Sequence, residues 1–166
     1  TMTSPTELSA RLATALDITE AASRISLAHF NGALEIVTKE DESPVTIADQ
    51  ETERSIRDAL KTAFPEDGLF GEEYGTEGLE KDTVWVVDPI DGTRSFIAGV
   101  PLFGMLLAMT TREAPLLGIC RLPALGQVYA AAKGLGATRD GSRIATSGCR
   151  ALDAAMLFVN EGEKIY

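Results

Sequence analysis

Apolar positions follow two different rhythms along the chain. Up to residue 63 they recur every three or four residues, the spacing of one helical face; beyond residue 83 they fall into short runs separated by turn residues, the habit of strands. Ser4-Pro5-Thr6-Glu7 suits a helix start, with Ser4 as cap, proline in the first turn and Glu7 reaching back to complete a capping box. Leu8, Leu12 and Leu16, then Ile18, Ala21, Ile25 and Ala28, form its predicted buried stripe until Asn31-Gly32 ends the pattern. Leu34 to Thr38 predicts a short strand and Lys39 to Ser43 a polar loop. A second helix is expected from Thr46, with Thr52, Ile56, Ala59, Leu60 and Ala63 on one side, ending at Pro65-Glu66-Asp67-Gly68.

The run Val84 to Val87, which includes the sole Trp, predicts a buried strand. Five more strands follow from the alternation: Phe103 to Met109, Leu116 to Leu122, Gln127 to Ala132, Ala137 to Thr138 and Arg143 to Ala145. Their even spacing predicts an antiparallel meander. Gly134-Leu135-Gly136 starts like a dinucleotide fingerprint but lacks the third glycine, and Asp140-Gly141 signals a hairpin instead. Helices followed by strands imply an α+β fold, a helix pair packed on a largely antiparallel sheet. At 166 residues the chain can bury a sizeable core. Residues 2–150 are expected to form one α+β domain. Met156 to Val159 is a further apolar run, and residues 151–166 are expected to be the start of a truncated second α/β domain. Thr1, ahead of the expected initiator Met2, is left out of the reading.

Composition narrows the function. With 15 Lys and Arg against 25 Asp and Glu, the net charge is −10, the wrong sign for a nucleic-acid binder that works by counterion release. No apolar run approaches the roughly 18 residues of a membrane span and no signal peptide is recognisable, so neither a membrane nor secretion is expected. Cys120 and Cys149 form no Cys-x-x-Cys pair, which fits a reducing cytoplasm. A single histidine, His29, lies in the first helical pattern. Zinc sites built on His and Cys, and catalysis by Ser-His-Asp or Cys-His, therefore lack material.

The densest chemistry is in Val84-Trp85-Val86-Val87-Asp88-Pro89-Ile90-Asp91-Gly92-Thr93-Arg94-Ser95-Phe96. A buried strand delivers Asp88, proline restricts the next backbone angle, and Asp91 arrives just before a glycine and a threonine. The pair Glu72-Glu73 follows Gly71 at the edge of another short apolar piece. Clustered acids repel one another and any phosphate unless cations stand between them, and oxygen ligands select hard ions such as Mg²⁺ or Mn²⁺. Glu72, Asp88 and Asp91 carry −3; two divalent ions add +4, leaving +1, which attracts an anion. If Thr93 opens a short helix toward Ile97, the amides of Gly92, Thr93 and Arg94 face outward where a phosphate is favoured. The expected nucleophile is water activated by metal. Glu72-Glu73 taken alone reads better as a solvated acidic loop; together with the later Asp-x-x-Asp turn it favours a metal site. Asp49, three residues after Thr46, sits where a capping box places an acid, a role compatible with a catalytic one. Asp41 to Thr52 lacks the glycine and glutamate that an EF-hand needs.

Gly71-Glu72-Glu73 followed by Trp85-Val86-Val87-Asp88-Pro89-Ile90-Asp91-Gly92-Thr93 resembles the first signature of the inositol monophosphatase family, magnesium-dependent and often lithium-sensitive phosphomonoesterases. The resemblance extends to Lys39, Ser43-Pro44-Val45-Thr46 and Ala48-Asp49. It implies the sugar-phosphatase fold of that family and two or three Mg²⁺ (or Mn²⁺) ions held by Glu72, Asp88, the Ile90 carbonyl and Asp91. It also implies that Asp49 and Thr93 orient the attacking water, that Asp91, Gly92 and Thr93 bind phosphate, and that Glu73 and Lys39 support the metal loop. Arg94-Ser95-Phe96, where inositol phosphatases more often carry Thr-Asn-Phe, resembles the histidinol-phosphate phosphatase branch. The implied partners are a small phosphorylated metabolite and a second copy of the chain in a homodimer.

The Trp-Asp-x-Ala-Ala motif of the family's second domain, whose aspartate completes the metal site, is missing from this sequence. The leading expectation is hydrolysis of a small phosphate monoester, histidinol phosphate first and inositol 1-phosphate second, with this 166-residue chain feebly active or inactive. The alternative of another class is an inactive metal-binding or interaction module.

Overall fold

The computed structural model describes residues 4–30, 32, 36–38 and 44–156. Helix α1 spans Pro5–His29 and is capped as its sequence predicts: the Ser4 hydroxyl accepts from the Glu7 amide at 3.2 Å. Its buried face differs from the leucine stripe. Leu8 is buried, but Ala15, Thr19, Ala22, Ser23 and Ser26 make up the rest, while Ala21 and Ala28 are exposed. Small residues let α1 approach its neighbours closely. The hydroxyls of Thr19, Ser23 and Ser26 donate to carbonyls one turn back at 3.0, 2.7 and 3.0 Å, so their burial leaves no orphaned donor. Leu12, Leu16 and Ile18 pack half-buried along the edge of the core.

Strands β1 (Ile36–Thr38) and β2 (Pro44–Thr46) pair antiparallel. Residues 34–35 of the first predicted strand and the predicted loop 39–43 lie outside the described residues. Thr46 then caps α2 (Ile47–Ala63), whose buried positions are Ala48, Asp49, Thr52, Glu53, Ile56, Arg57 and Leu60. Three charged residues on the inner face of a helix are unusual, since Asp, Glu and Arg are almost never fully buried unless paired.

The main sheet has eight strands in the order β10-β9-β8-β7-β6-β5-β3-β4. Short β3 (Gly68–Gly71) and β4 (Gly75–Glu77) precede β5 (Val84–Asp91). The short helix α3 (Thr93–Ile97) leads to β6 (Gly104–Thr110), β7 (Pro115–Leu122), β8 (Gln127–Ala132), β9 (Gly136–Arg139) and β10 (Ser142–Ile144). From β6 to β10 the sheet is the predicted antiparallel meander, which β5 extends by pairing antiparallel with β6; β3 pairs with β5 in parallel. Asp140 (φ 49°) and Gly141 (φ 78°) form the predicted β9–β10 hairpin turn. β3 and β4 are too short and glycine-bounded to show a period. Residues 157–159 of the last predicted strand lie outside the described residues.

Alternation along β5 to β8 sends Trp85, Val87, Met105, Leu107, Met109, Leu117, Ile119, Ala130 and Ala132 into one core with α1 and α2. The opposite face carries an apolar groove lined by Val86, Leu106, Ala108, Cys120 and Tyr129. Trp85 stacks on Phe64 at 5.2 Å, and its indole N–H donates to Asp67 at 2.9 Å; Arg11 also pairs with Asp67 and sits 4.7 Å over the Phe64 ring. A second cluster of Ala48, Ile90, Phe96 and Phe103 joins α2, the end of β5 and α3. Among the described residues no helix is long and apolar enough to cross a membrane.

Because Trp85 is fully buried at the junction of α1, α2 and β5, Trp85→Ala is expected to destabilise the fold by about 3–5 kcal/mol. Leu102→Ala, at a side chain 65% exposed, is expected to change stability by less than about 0.5 kcal/mol. Urea denaturation of both variants distinguishes the two outcomes.

Candidate functional site

The predicted acids meet because of strand register. β3 runs parallel to β5 with Gly71 opposite Val87, and the Glu72 amide donates to the Val87 carbonyl at 3.3 Å. One residue further along both strands, Glu72 therefore stands beside Asp88. The two carboxyl groups are close enough to act on each other electrostatically. Burial first, then the charge of Glu72, pushes the Asp88 carboxyl up to about 7. Asp91 adds a smaller repulsion in the same direction.

A bulge brings Asp91 into this neighbourhood. Between the pairs Asp88↔Leu106 and Asp91↔Gly104, β5 uses one residue more than β6. In a regular strand, residues three apart point to opposite faces; the extra residue at Pro89-Ile90 resets that phase. Pro89 and Ile90 are themselves buried, so the irregularity is held in place.

Beyond the bulge, Gly92 adopts φ 89° and caps α3. That angle favours glycine, and a Cβ there would lie 3.2 Å from the Leu102 carbonyl oxygen. The Thr93 hydroxyl reaches the Ile90 carbonyl at 3.1 Å and Asp49 Oδ1 at 3.4 Å. Asp49 is buried, and its Oδ2 accepts from the Thr46 amide at 2.8 Å and the Thr46 hydroxyl at 2.5 Å. The capping role and the contact with Thr93 thus use different oxygens of one carboxylate.

The structure therefore sets Glu72 beside Asp88, with Asp91 near enough to act on Asp88 electrostatically, and joins Thr93 to Asp49 and to the Ile90 carbonyl. Lys39 lies outside the described residues. His29 pairs with Glu51 at 2.8 Å. Among the described residues no three His, Cys, Asp or Glu side chains are gathered closely enough to ring an ion. Mutual repulsion among ionised carboxylates opposes such a gathering. One observation fits a cation at this place: Asp88 Oδ1 is buried and has no hydrogen-bond partner. An orphaned carboxylate oxygen is costly in a protein interior and is the natural seat of a positive ligand.

Glu53 is a residue that sequence reasoning missed. It is fully buried on α2, one turn after Asp49, and accepts from the backbone amides of Glu73 at 2.7 Å and Tyr74 at 3.2 Å. Arg57, a further turn on, pairs with it at 3.3 Å and donates to the Gly75 carbonyl at 3.0 Å. The spacing Asp49, Glu53, Arg57 was available in the sequence as a charged stripe running beside Thr52 and Ile56.

The sequence profile of the inositol monophosphatase family matches residues 7–164. A histidinol-phosphatase of Chlorobaculum parvum is 41% identical over 150 residues, covering 90% of this chain and 58% of that protein. Among solved structures, the extragenic suppressor protein SuhB of Bartonella henselae superposes with a TM-score of 0.80 at 26% identity, over 85% of this chain and 56% of that one. An IMPase of Thermotoga maritima superposes with a TM-score of 0.78 at 31% identity, over 83% of this chain and 54% of that one. The chain thus spans between 54% and 58% of the length of these relatives.

The raised Asp88 carboxyl makes the metal-free fold sensitive to pH. An acid at about 7 when folded, against about 3.9 when unfolded, costs no stability below the unfolded value and its full penalty above the folded one. In chelator at pH 8, Asp88→Asn is expected to stabilise the chain by on the order of 1–2 kcal/mol, discounted because Glu72 and Asp91 are solvent-exposed. The gain should fade as pH falls through the interval between those values and be gone near pH 4. Thermal denaturation across pH 4–8 measures it, and a gain that does not depend on pH would contradict the assignment.

Proposed function

Since the chain belongs to the inositol monophosphatase family, we propose that it forms the acidic half of a metal-dependent phosphomonoesterase acting on a small phosphate monoester. The observation that carries this reading is the buried, unpartnered Asp88 Oδ1 beside Glu72 and Asp91. Glu72, Asp88 and Asp91, with the carbonyl of Ile90, are the proposed ligands of Mg²⁺ or Mn²⁺. What such ions supply when bound is positive charge for the phosphate and a lowered pKa for the attacking water.

The remaining chemistry belongs to the chain itself. Thr93 Oγ1 lies between the Ile90 carbonyl and Asp49 Oδ1. Its lone pairs can accept a hydrogen bond from water while its own proton points to Asp49, so a proton leaving the water ends on Asp49 Oδ1. Thr46 holds the other oxygen of Asp49 and thereby fixes the carboxylate's orientation. The first amides of α3, at Gly92 and Thr93, face the end of the helix without intrahelical acceptors and are the proposed phosphate donors. Glu73 supports this arrangement through the backbone that carries Glu72.

Histidinol phosphate is the favoured substrate, because Arg94-Ser95-Phe96 departs from the sequence more usual in inositol phosphatases and because the relative from Chlorobaculum parvum is a histidinol-phosphatase. Inositol 1-phosphate is second.

Phosphate release should be assayed with this chain and with a form extended to the full length of its relatives. In the longer form Asp88→Asn is expected to lower Mg²⁺-dependent release by about 100-fold or more, and chelator to abolish it. Undiminished turnover in the variant would refute the site. Faster release from inositol 1-phosphate than from histidinol phosphate would reverse the substrate order. No release from either form, with divalent-ion binding retained, would favour a metal-binding module.

A further inference from the structure

The burial of Glu53 needs a reason that the proposed reaction does not supply. Its carboxylate is 0% exposed, and a buried carboxylate is tolerated only when paired and hydrogen-bonded. Arg57, one turn away on the same helix, already provides a countercharge at 3.3 Å. Yet the shortest of its hydrogen bonds, at 2.7 Å, goes to the backbone amide of Glu73, and a further one at 3.2 Å goes to that of Tyr74. These are the two amides immediately after Glu72.

The neighbouring glycine is shaped to that contact. A Cβ on Gly71 would lie 1.9 Å from Glu53 Oε1 and 2.5 Å from its carboxyl carbon. Gly71 does not have a positive φ, so its backbone conformation is open to other residues. What crowds a side chain at Gly71 is the Glu53–Arg57 pair, since Arg57 Nη1 would lie 2.9 Å from the same Cβ. Arg57 closes the far end of the same turn through the Gly75 carbonyl at 3.0 Å. Glu72, Tyr74 and Gly75 are exposed to solvent; their other ties include the Glu72 amide on the Val87 carbonyl at 3.3 Å and Arg54, which donates to the Tyr74 hydroxyl at 2.8 Å, and a turn of that kind has little packing of its own to hold it.

We propose that Glu53 is a positioning residue for divalent-cation binding: by clamping the amides of Glu73 and Tyr74 against α2, it holds the Glu72 carboxylate in place beside Asp88. The proposal rests on the reading of Glu72 and Asp88 as cation ligands. Under it, α2 serves the site twice, at Asp49 for the water and at Glu53 for the metal loop.

The test uses the 166-residue chain with Mn²⁺ alone, free ion being followed by electron paramagnetic resonance, together with amide hydrogen exchange at Glu73 and Tyr74. Glu53→Gln keeps the shape but turns an NH₂ toward one of the two amides. It is expected to accelerate exchange at Glu73 and Tyr74, leave β5 to β7 protected, and weaken Mn²⁺ binding by about 10- to 100-fold. Gly71→Ala leaves the charge intact and drives the carboxylate off the amides, so it should do the same even where the Glu53 variant fails to fold. The double variant should bind no worse than the weaker single one, because both break one linkage. Unchanged exchange at the two amides in these variants, or faster exchange with Mn²⁺ bound as in the parent, would overturn the proposal. Asp88→Asn separates the two levels: if the parent's Mn²⁺ affinity is indifferent to it, the cation site itself is wrong and the role of Glu53 falls with it.

Discussion

Parallel pairing of β3 with β5 is the constraint on which the site depends. Every other neighbouring pair in the main sheet is antiparallel. In an antiparallel arrangement the C-terminal ends of these two strands would lie at opposite ends of the pair. Parallel strands finish together, so the residues that follow Gly71 and Val87 are neighbours although 16 positions separate Gly71 from Val87 in the chain. The four-residue pairing is short, and its strength comes from what covers it: Leu69, Trp85 and Val87 are all buried under α2 and the Phe64 ring.

Juxtaposed acids oppose folding, and the architecture shows where the opposition is absorbed. Asp88 is held partly buried next to Glu72 at the cost of a carboxyl pushed to about 7. Such a cost is tolerable because the sheet behind it is continuous and the bulge after it is locked by Ile90, Phe96 and Phe103. The aromatic rings of Phe96 and Phe103 meet edge-on at 4.8 Å, and Phe30 packs on both. An apolar cluster thus sits directly beneath the turn that carries Asp91, Gly92 and Thr93. Rigid support of this sort keeps polar groups in place when their mutual electrostatics would push them apart.

α2 combines the two tasks. Its inner face continues the core through Ile56 and Leu60, while Asp49, Glu53 and Arg57 run alongside as buried charges, each satisfied by backbone or by one another. A helix is well suited to this, because residues four apart project in nearly the same direction. Successive turns can therefore reach the α3 turn at one end and the β3–β4 turn at the other.

Much of this was legible in the order of residues. The capping of α1 and α2, the β5 strand, the meander and the Asp140-Gly141 hairpin follow from local chemistry, which acts over a few residues and leaves a period or a turn signal. The acids at Glu72, Asp88 and Asp91 were legible as candidates through motif spacing, and the Asp49–Thr93 pair through the family resemblance. What local pattern could not supply was β3 and β4, too short to show a period, and the polar face of α1, where Thr19, Ser23 and Ser26 are buried in place of the expected Ile18, Ala21, Ile25 and Ala28. Nor could it supply Glu53, which reads as an ordinary exposed helical acid until Gly71 and two amides from another segment close around it. Contacts of that kind join positions about 20 residues apart, and only the packed tertiary structure decides which buried charges find partners.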